Sequence, residues 1–554
     1  MFVASFRFMG SNVVVGSQPS STAYLPAASN MRVLSCFLLT LVTIISDNHA
    51  DAARILGVFP TPSKSHWILG SSLLKELASD GHEVTDVSPF KLSNPPANYH
   101  HVEIATDHEF FNQKVEQLFS ETDKSQISKM VEMYTAVNYF SNSTLSSPAV
   151  KQLLRSNQKF DLVILEIFLD HALLGFAEHF GCPVIGTTTH GVLGWINSLV
   201  GTPQPLSYVP HVHIGFSNPM NFWQRMANVI FTAIDETLLS VLVYPEQDRM
   251  YREAFPNAKR SLSEMRRDAV SLVLVNNHFS LSYPRPYVPN MIEIGGFHVN
   301  RKVNPLPENI LNFIANSTDG VIYFSMGSNL KPSQMGKEKQ QDLLNAFSKV
   351  KQNVIWKWDD ESLKLDKSKY FIAKWLPQDD ILAHPNVKLF ITHGGLLSCT
   401  ESIHHGKPII GIPIFGDQQM NMDQAEKAGW GVAVKFTDLN EESITNALNE
   451  VLNNDKYTKT VQLISKRLRD QPLPPMDMAK YWVNYVLRHD GAEHLKSPGQ
   501  QFCFIQYHNI DVYVFIIALV AILIALPIKV FRALCSQSAK HSSKIKSKSK
   551  KKTN

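Results

Sequence analysis

Apolar and polar positions along this chain change in blocks rather than residue by residue. Arg54-Ile-Leu-Gly-Val-Phe is a continuous apolar run. Pro60-Thr-Pro-Ser follows, then apolar positions at helical spacing from His66 to Ala78, closed by Asp80-Gly81. Glu83–Val87 resumes as a strand, and further runs occupy Asp161–Glu166 and Pro183–Thr187. Such runs between helical stretches predict strands of a parallel sheet covered on both faces. After a polar, proline-containing connector from Asn300 to Pro307 the pattern restarts, with Val321–Ser325, Val354–Trp356, Val387–Thr392 and Pro408–Pro413. The prediction is an α/β protein of two doubly wound, Rossmann-like domains facing across a cleft. They cover residues 53–299 and 319–500 and are joined by a linker at 300–318. Asn218–Val243 is unusually apolar and aromatic. It suits a core segment, an acceptor-site wall or a membrane-facing patch, and core is the expectation.

The two ends read differently. Arg32 followed by the apolar Val33–Ile45 and by Ala50-Asp51-Ala52 has the pattern of a signal peptide, residues 31–52, behind an N-terminal extension, 1–30. Residues 510–528 include an uncharged apolar run from Val512 to Ile528, nearly long enough to cross a bilayer as one helix. The remaining residues, 529–554, carry nine Lys/Arg and no acidic residue, a basic cytosolic flank by the usual charge rule. Because the whole chain is only +4, the body without that tail is acidic, and nucleic acid is not an expected partner. Lys551 and Lys552 resemble a dilysine retrieval signal of endoplasmic reticulum membrane proteins. Asn142-Ser-Thr and Asn316-Ser-Thr are glycosylation sequons on the lumenal side of that topology. The five scattered cysteines form no CxxC pair, so neither a zinc ribbon nor a disulfide framework is expected.

One stretch carries chemistry. Phe390–Gln418 reads FITHGGLLSCTESIHHGKPIIGIPIFGDQ. A strand ends at Thr392, and His393-Gly394-Gly395 turns into a helix. The glycines permit close backbone approach, and the free N–H groups at the helix start form a natural diphosphate site. His393 adds a hydrogen bond or charge there, and Ser398 follows about a turn later. Glu401, two turns on from His393, can share its face and accept bonds from vicinal ribose hydroxyls.

These residues resemble the UDP-glycosyltransferase family (UDP-glucuronosyltransferase and UDP-glucosyltransferase type), and most of all its insect membrane-bound members. The resemblance implies a GT-B arrangement of the two domains, with acceptor bound by the first and UDP-sugar by the second. It implies that Trp375 stacks the uracil while Gln378 reads its edge, and that Gly327-Ser328 touches the phosphates. Gly395 would belong to the donor turn, and Asp417 and Gln418 would hold the transferred sugar. It implies that His66, in Ser65-His66-Trp67, is the catalytic base, and that a carboxylate at the end of the Asp161–Glu166 strand orients it. The family places an aspartate there; this chain has Glu166, with Asp170 as the alternative. No D-x-D pair occurs, so no metal and no cofactor beyond the UDP-sugar co-substrate is expected. The expected reaction is inverting transfer of a hexose to a small lipophilic acceptor, in detoxification or hormone conjugation. The donor is expected to be UDP-glucose, with UDP-glucuronate or a catalytically weak relative as alternatives. A lumenal body on the endoplasmic reticulum membrane follows, and the family allows a homo-oligomer. A nucleotide-cofactor oxidoreductase would need GxGxxG after the first strand, where this chain has Pro60-Thr-Pro-Ser-Lys-Ser.

Overall fold

The computed structural model describes residues 52–550, apart from 106–108, 112, 115–116, 118–123, 217, 300–301, 329 and 361–362. The N-terminal extension, nearly all of the signal-peptide segment and the dilysine pair lie outside the described residues.

Seven strands form the first sheet: β1 (Arg54–Val58), β2 (Glu83–Ser88), β3 (Tyr99–Glu103), β4 (Leu162–Glu166), β5 (Val184–Thr188), β6 (Val270–Val275) and β7 (Met291–Glu293). Their order is β3-β2-β1-β4-β5-β6-β7, every pair parallel. The second sheet has β8 (Val321–Ser325), β9 (Asn353–Lys357), β10 (Tyr370–Ala373), β11 (Val387–Thr392), β12 (Ile409–Gly411) and β13 (Gly431–Ala433), in the order β10-β9-β8-β11-β12-β13, again all parallel.

The continuous apolar runs have a simple cause. Side chains of a strand alternate between faces. Ile55, Leu162 and Ile164 enter one core of the first lobe, while Leu56, Val58, Val163 and Leu165 enter the core on the other face. In the second lobe Ile322 and Phe324 point one way, and Val321 and Tyr323 the other. With helices on both faces, the central strands β1, β4, β5, β6 and β8 keep almost no position for water, and the exposed ones, such as Glu83, His100 and Glu103, fall on β2 and β3 at the edge of the first sheet.

Three expectations from the sequence need correction. The connector is shorter than 300–318, because Glu308–Ala315 is a helix whose Ile310 and Ile314 are buried with Val321, Tyr323 and Phe390. The second domain does not keep 319–500 to itself. The helix Pro475–Arg488 returns to the first lobe, and its apolar stripe of Met476, Ala479, Val483 and Val486 is buried with Ile55, Leu69 and Leu73. Finally, the apolar segment 218–243 is core only at its ends, where Met220, Leu239 and Val243 are buried. In the helix Phe222–Leu238 the buried side chains are polar. Asn228 accepts from His211 N (2.7 Å) and donates to the carbonyls of Leu206 (2.8 Å) and Val209 (2.9 Å), and Asp235 accepts from His211 Nε2 (2.9 Å) and from the Tyr134 hydroxyl. Phe222, Trp223, Met226, Val229 and Ile230 face outward. The polar inner face explains the inversion: its hydrogen bonds fasten the 206–211 loop, work that apolar side chains cannot do.

The last helix runs from Ile510 to Lys550, beyond the expected end at Ile528, and its side chains through Lys546 are exposed. It is long and apolar enough to cross a membrane.

The returning helix gives a test. Val483→Ala removes fully buried methyls and is expected to destabilise the protein by about 1–3 kcal/mol, read as a lower midpoint of denaturant unfolding. Replacement of Tyr481, half-exposed on the same helix, is expected to cost much less.

Candidate active site

In an open parallel sheet a crevice forms at the carboxyl ends of the strands where the order reverses direction. That point is β1/β4 in the first sheet and β8/β11 in the second. Val58 pairs with Leu165, so the loop after β1 and the end of β4 emerge side by side. The same logic puts Gly327-Ser328, after β8, beside His393, after β11.

In the first lobe the helix Lys64–Ser79 follows β1, and His66 lies in its first turn. Its Nδ1 is hydrogen-bonded to Glu166 Oε1, and Thr189 Oγ1 lies 3.2 Å from the same nitrogen. Glu166 is wholly buried. Burial alone would push its pKa up, but the His66 charge and hydrogen bond hold it below the usual carboxylate value. A carboxylate at Nδ1 fixes the proton there and leaves the Nε2 lone pair as the basic site. The ring is held edge-on by Phe168 (centroids 5.4 Å) and His190 (5.2 Å), which stack on each other. Burial lowers His190 to a pKa of about 4, against the pull of Asp417, so it is neutral.

Asp170, the alternative partner, is placed elsewhere. Its Oδ1 accepts the Phe168 N–H at 3.0 Å. Burial, then the Glu166 charge, raises its pKa to about 7. The longer Glu166 reaches the imidazole, and Asp170 is the carboxyl pushed toward its protonated form beside it.

In the second lobe His393 is partly buried, and its pKa is lowered to about 4, first by loss of hydration and then by Lys357. It is a neutral hydrogen-bonding group, so of the two roles open to it from sequence the charge falls away. Its ring dictates two glycines: a Cβ at Gly327 (φ +78°) would stand 2.5 Å from His393 Cε1, and one at Gly395 2.5 Å from Nε2. Gly395 also opens the helix Leu396–His404 without a side-chain cap, leaving first-turn N–H groups free for an anion. Gln378 Nε2 donates to Ser398 Oγ (3.1 Å) and to Glu401 Oε2, while its Oε1 accepts from the Tyr323 hydroxyl (3.2 Å). Burial raises Glu401 to a pKa of about 8. Asp417 Oδ2 and the Gly394 carbonyl share the Asn421 amide, each at 3.0 Å, which ties the two turns together. Gln418 Oε1 already accepts from Ile414 N (2.8 Å) and Phe415 N (3.1 Å), so its free function is the amino group.

All the second-lobe residues singled out from sequence, namely Ser328, Trp375, Gln378, His393, Gly395, Ser398, Glu401, Asp417 and Gln418, line one cavity of about 370 Å³, together with His66. A neighbouring cavity of about 660 Å³ is walled by Phe111, Met133, Phe140, Phe168, Trp195 and other residues, many of them apolar, and Asp170 lies there. The two cavities share His66, His190, Phe415 and Asp417. Sequence reasoning missed Thr189, His190, Phe168, Asn421 and Lys357. Lys357 ends β9, and Thr189-His190 follows β5. Their position at carboxyl ends of strands was the available signal.

The chain matches the model of the family described as UDP-glucoronosyl and UDP-glucosyl transferase over residues 54–545. It is 36% identical over 528 residues to UDP-glycosyltransferase UGT5 of Dactylopius coccus, covering 94% of this chain and 99% of that one. It is 30% identical over 479 residues to UDP-glucuronosyltransferase 2B10 of Homo sapiens, covering 82% and 89%. Among solved structures, a UDP-glucosyltransferase from Polygonum tinctorium capable of glucosylating indoxyl superposes with a TM-score of 0.54 at 15% identity, covering 79% of this chain and 99% of that one. The calicheamicin glycosyltransferase CalG4 gives 0.53 at 15%, with the same coverage. The two all-parallel sheets, the cleft between their carboxyl edges and these matches together establish that the chain belongs to the UDP-glucoronosyl and UDP-glucosyl transferase family and is a glycosyltransferase of GT-B fold.

Proposed function

We propose that this enzyme moves glucose from UDP-glucose to a hydroxyl of a small lipophilic acceptor, inverting the anomeric carbon. The observation that carries the reading is the junction of the two cavities. A slot lined by the hydrogen-bonding side chains singled out for the donor meets a roomier cavity with many apolar residues at His66 and Asp417. An acceptor in the apolar cavity presents its hydroxyl to His66 Nε2. The imidazole takes that proton as the oxygen attacks the anomeric carbon, and Glu166 stabilises the imidazolium. The bond from anomeric carbon to diphosphate breaks as the new one forms, and UDP leaves as an anion. Its charge is received by the free N–H groups of the helix Leu396–His404, by neutral His393 and by Lys357, so no metal is assigned.

Trp375 and Gln378 take the uracil, Glu401 the ribose, and Ser328 the phosphates. For the sugar, the Asp417 carboxylate accepts and the Gln418 amino group donates. Among the described residues lining this cavity the one Lys or Arg is Lys357, and it lies by Trp375 and Gly327, between the base and the diphosphate. At the Asp417 end a glucuronate carboxylate would meet a like charge, which favours a neutral hexose. The similarity to UDP-glucosyltransferase 2 of Dactylopius coccus, 34% identical over 490 residues, supports the same choice. The helix beginning at Ile510 would anchor the body in the endoplasmic reticulum membrane with its basic end cytosolic, and the outward apolar face of Phe222–Leu238 suits a body held close to lipid.

His66→Ala in microsomes is expected to lower kcat by about a hundredfold to ten-thousandfold while UDP affinity holds, with UDP-glucose preferred over UDP-glucuronate by the parent enzyme. Unchanged turnover in the variant would remove His66 as the base.

Asp170 supplies a pH prediction. Below 3.8 folded and unfolded chains both keep its proton; above that the unfolded chain releases it, while the folded chain keeps it until about 7. Stability therefore falls as pH rises through that window. Asp170→Asn is expected to melt above the parent at neutral pH, with the gap closing toward the acid side; a gap independent of pH would contradict the assignment.

A further inference from the structure

The indole of Trp375, 53% exposed, carries two ammonium groups. Lys64 Nζ lies 3.7 Å from the ring centroid and Lys357 Nζ 4.5 Å. They come from opposite lobes. Lys357 ends β9 and is pinned by a 2.7 Å bond to the Gly327 carbonyl. Lys64 opens the helix of the first lobe, two residues before His66.

Lys64 occupies an electrostatically poor position. A helix start is the positive end of its dipole, and no acidic residue stands in the first turn of this helix to offset it. Lys64 also crowds Lys357, whose pKa is lowered to about 8, first by burial and then by the Lys64 charge. Neither lysine is in an ion pair among the described residues. What holds Lys64 against this repulsion is the indole face. The same ring has a second claimant, because a nucleobase stacks on the aromatic face that a cation covers. Beside it stand Lys357 and the uncapped start of the helix Leu396–His404, both suited to an anion.

We propose that Lys64 is a two-position donor-binding residue. In the free enzyme it caps Trp375; the arriving nucleobase displaces it, and the released ammonium binds the diphosphate. This rests on the reading of the cavity as a UDP-sugar site and adds to it a contact from the first lobe. A cation that leaves the base slot for the diphosphate binds the first lobe to the donor two residues from the base His66. Base and diphosphate are then sensed together: the base alone must break the Lys64–Trp375 contact without return, whereas the diphosphate supplies the new partner.

The test compares uridine, UMP and UDP binding by titration calorimetry on the full chain in detergent, for the parent, Lys64→Met and Lys64→Arg. In Lys64→Met, UDP affinity is expected to fall about tenfold, the usual scale of one charge-assisted contact, while uridine binds as well as or better than in the parent. Lys64→Arg is expected to keep most of the UDP affinity, and retained uridine binding shows that the variants are folded. Equal changes in uridine and UDP affinity, or no change in either, would overturn the two-position role while leaving the donor site intact. A parent protein that binds uridine and UDP equally weakly would overturn the donor reading, and this proposal with it.

Discussion

Glu166 is a carboxylate taken wholly out of water, and the His66 imidazole keeps it ionised there. Left alone, such a group would take up a proton, as Asp170 beside it tends to do at a pKa of about 7. The pair can form only because β1 and β4 are neighbours although about a hundred residues of chain lie between them. Strand order thus sets the charge state of the site. The imidazole is held by Glu166 at Nδ1 and by rings on its flank, which leaves Nε2 directed by the fold and not by the substrate.

The second lobe repeats this geometry with a different chemical result. There the switch point holds a neutral histidine against two glycines, an uncapped helix start and a lysine. On the proposed mechanism, one lobe carries a proton and the other receives negative charge. The helix Pro475–Arg488, which crosses back to pack on the first lobe, ties the two halves together with buried valines instead of a flexible hinge alone.

Much of this was legible in the chain. Uninterrupted apolar strands identified parallel sheets because burial on both faces leaves no alternation. The stretch Phe390–Gln418 was legible because a turn that seats an imidazole against backbone must spell its glycines. The choice between Glu166 and Asp170 was not: four residues apart, both leave β4, and only the path of the chain after the strand separates them. Within the apolar segment 218–243, the helix Phe222–Leu238 misled for a related reason. Hydrophobicity reports that a face avoids water, not which face the protein covers, and here Asn228 and Asp235 were needed inside to hold a loop. Lys64 and Lys357 carry no motif, and their meeting on Trp375 belongs to the two lobes together.

The central claim is that a hydroxyl activated at His66 meets the donor carbon directly, with no covalent enzyme intermediate. The anomeric configuration of the first-formed product decides it. With an α-linked UDP-hexose as donor and a simple phenol as acceptor, proton NMR of the glycoside before any equilibration should give the β-anomer. A product that keeps the α configuration would require a nucleophile that this arrangement does not provide, and would contradict the account.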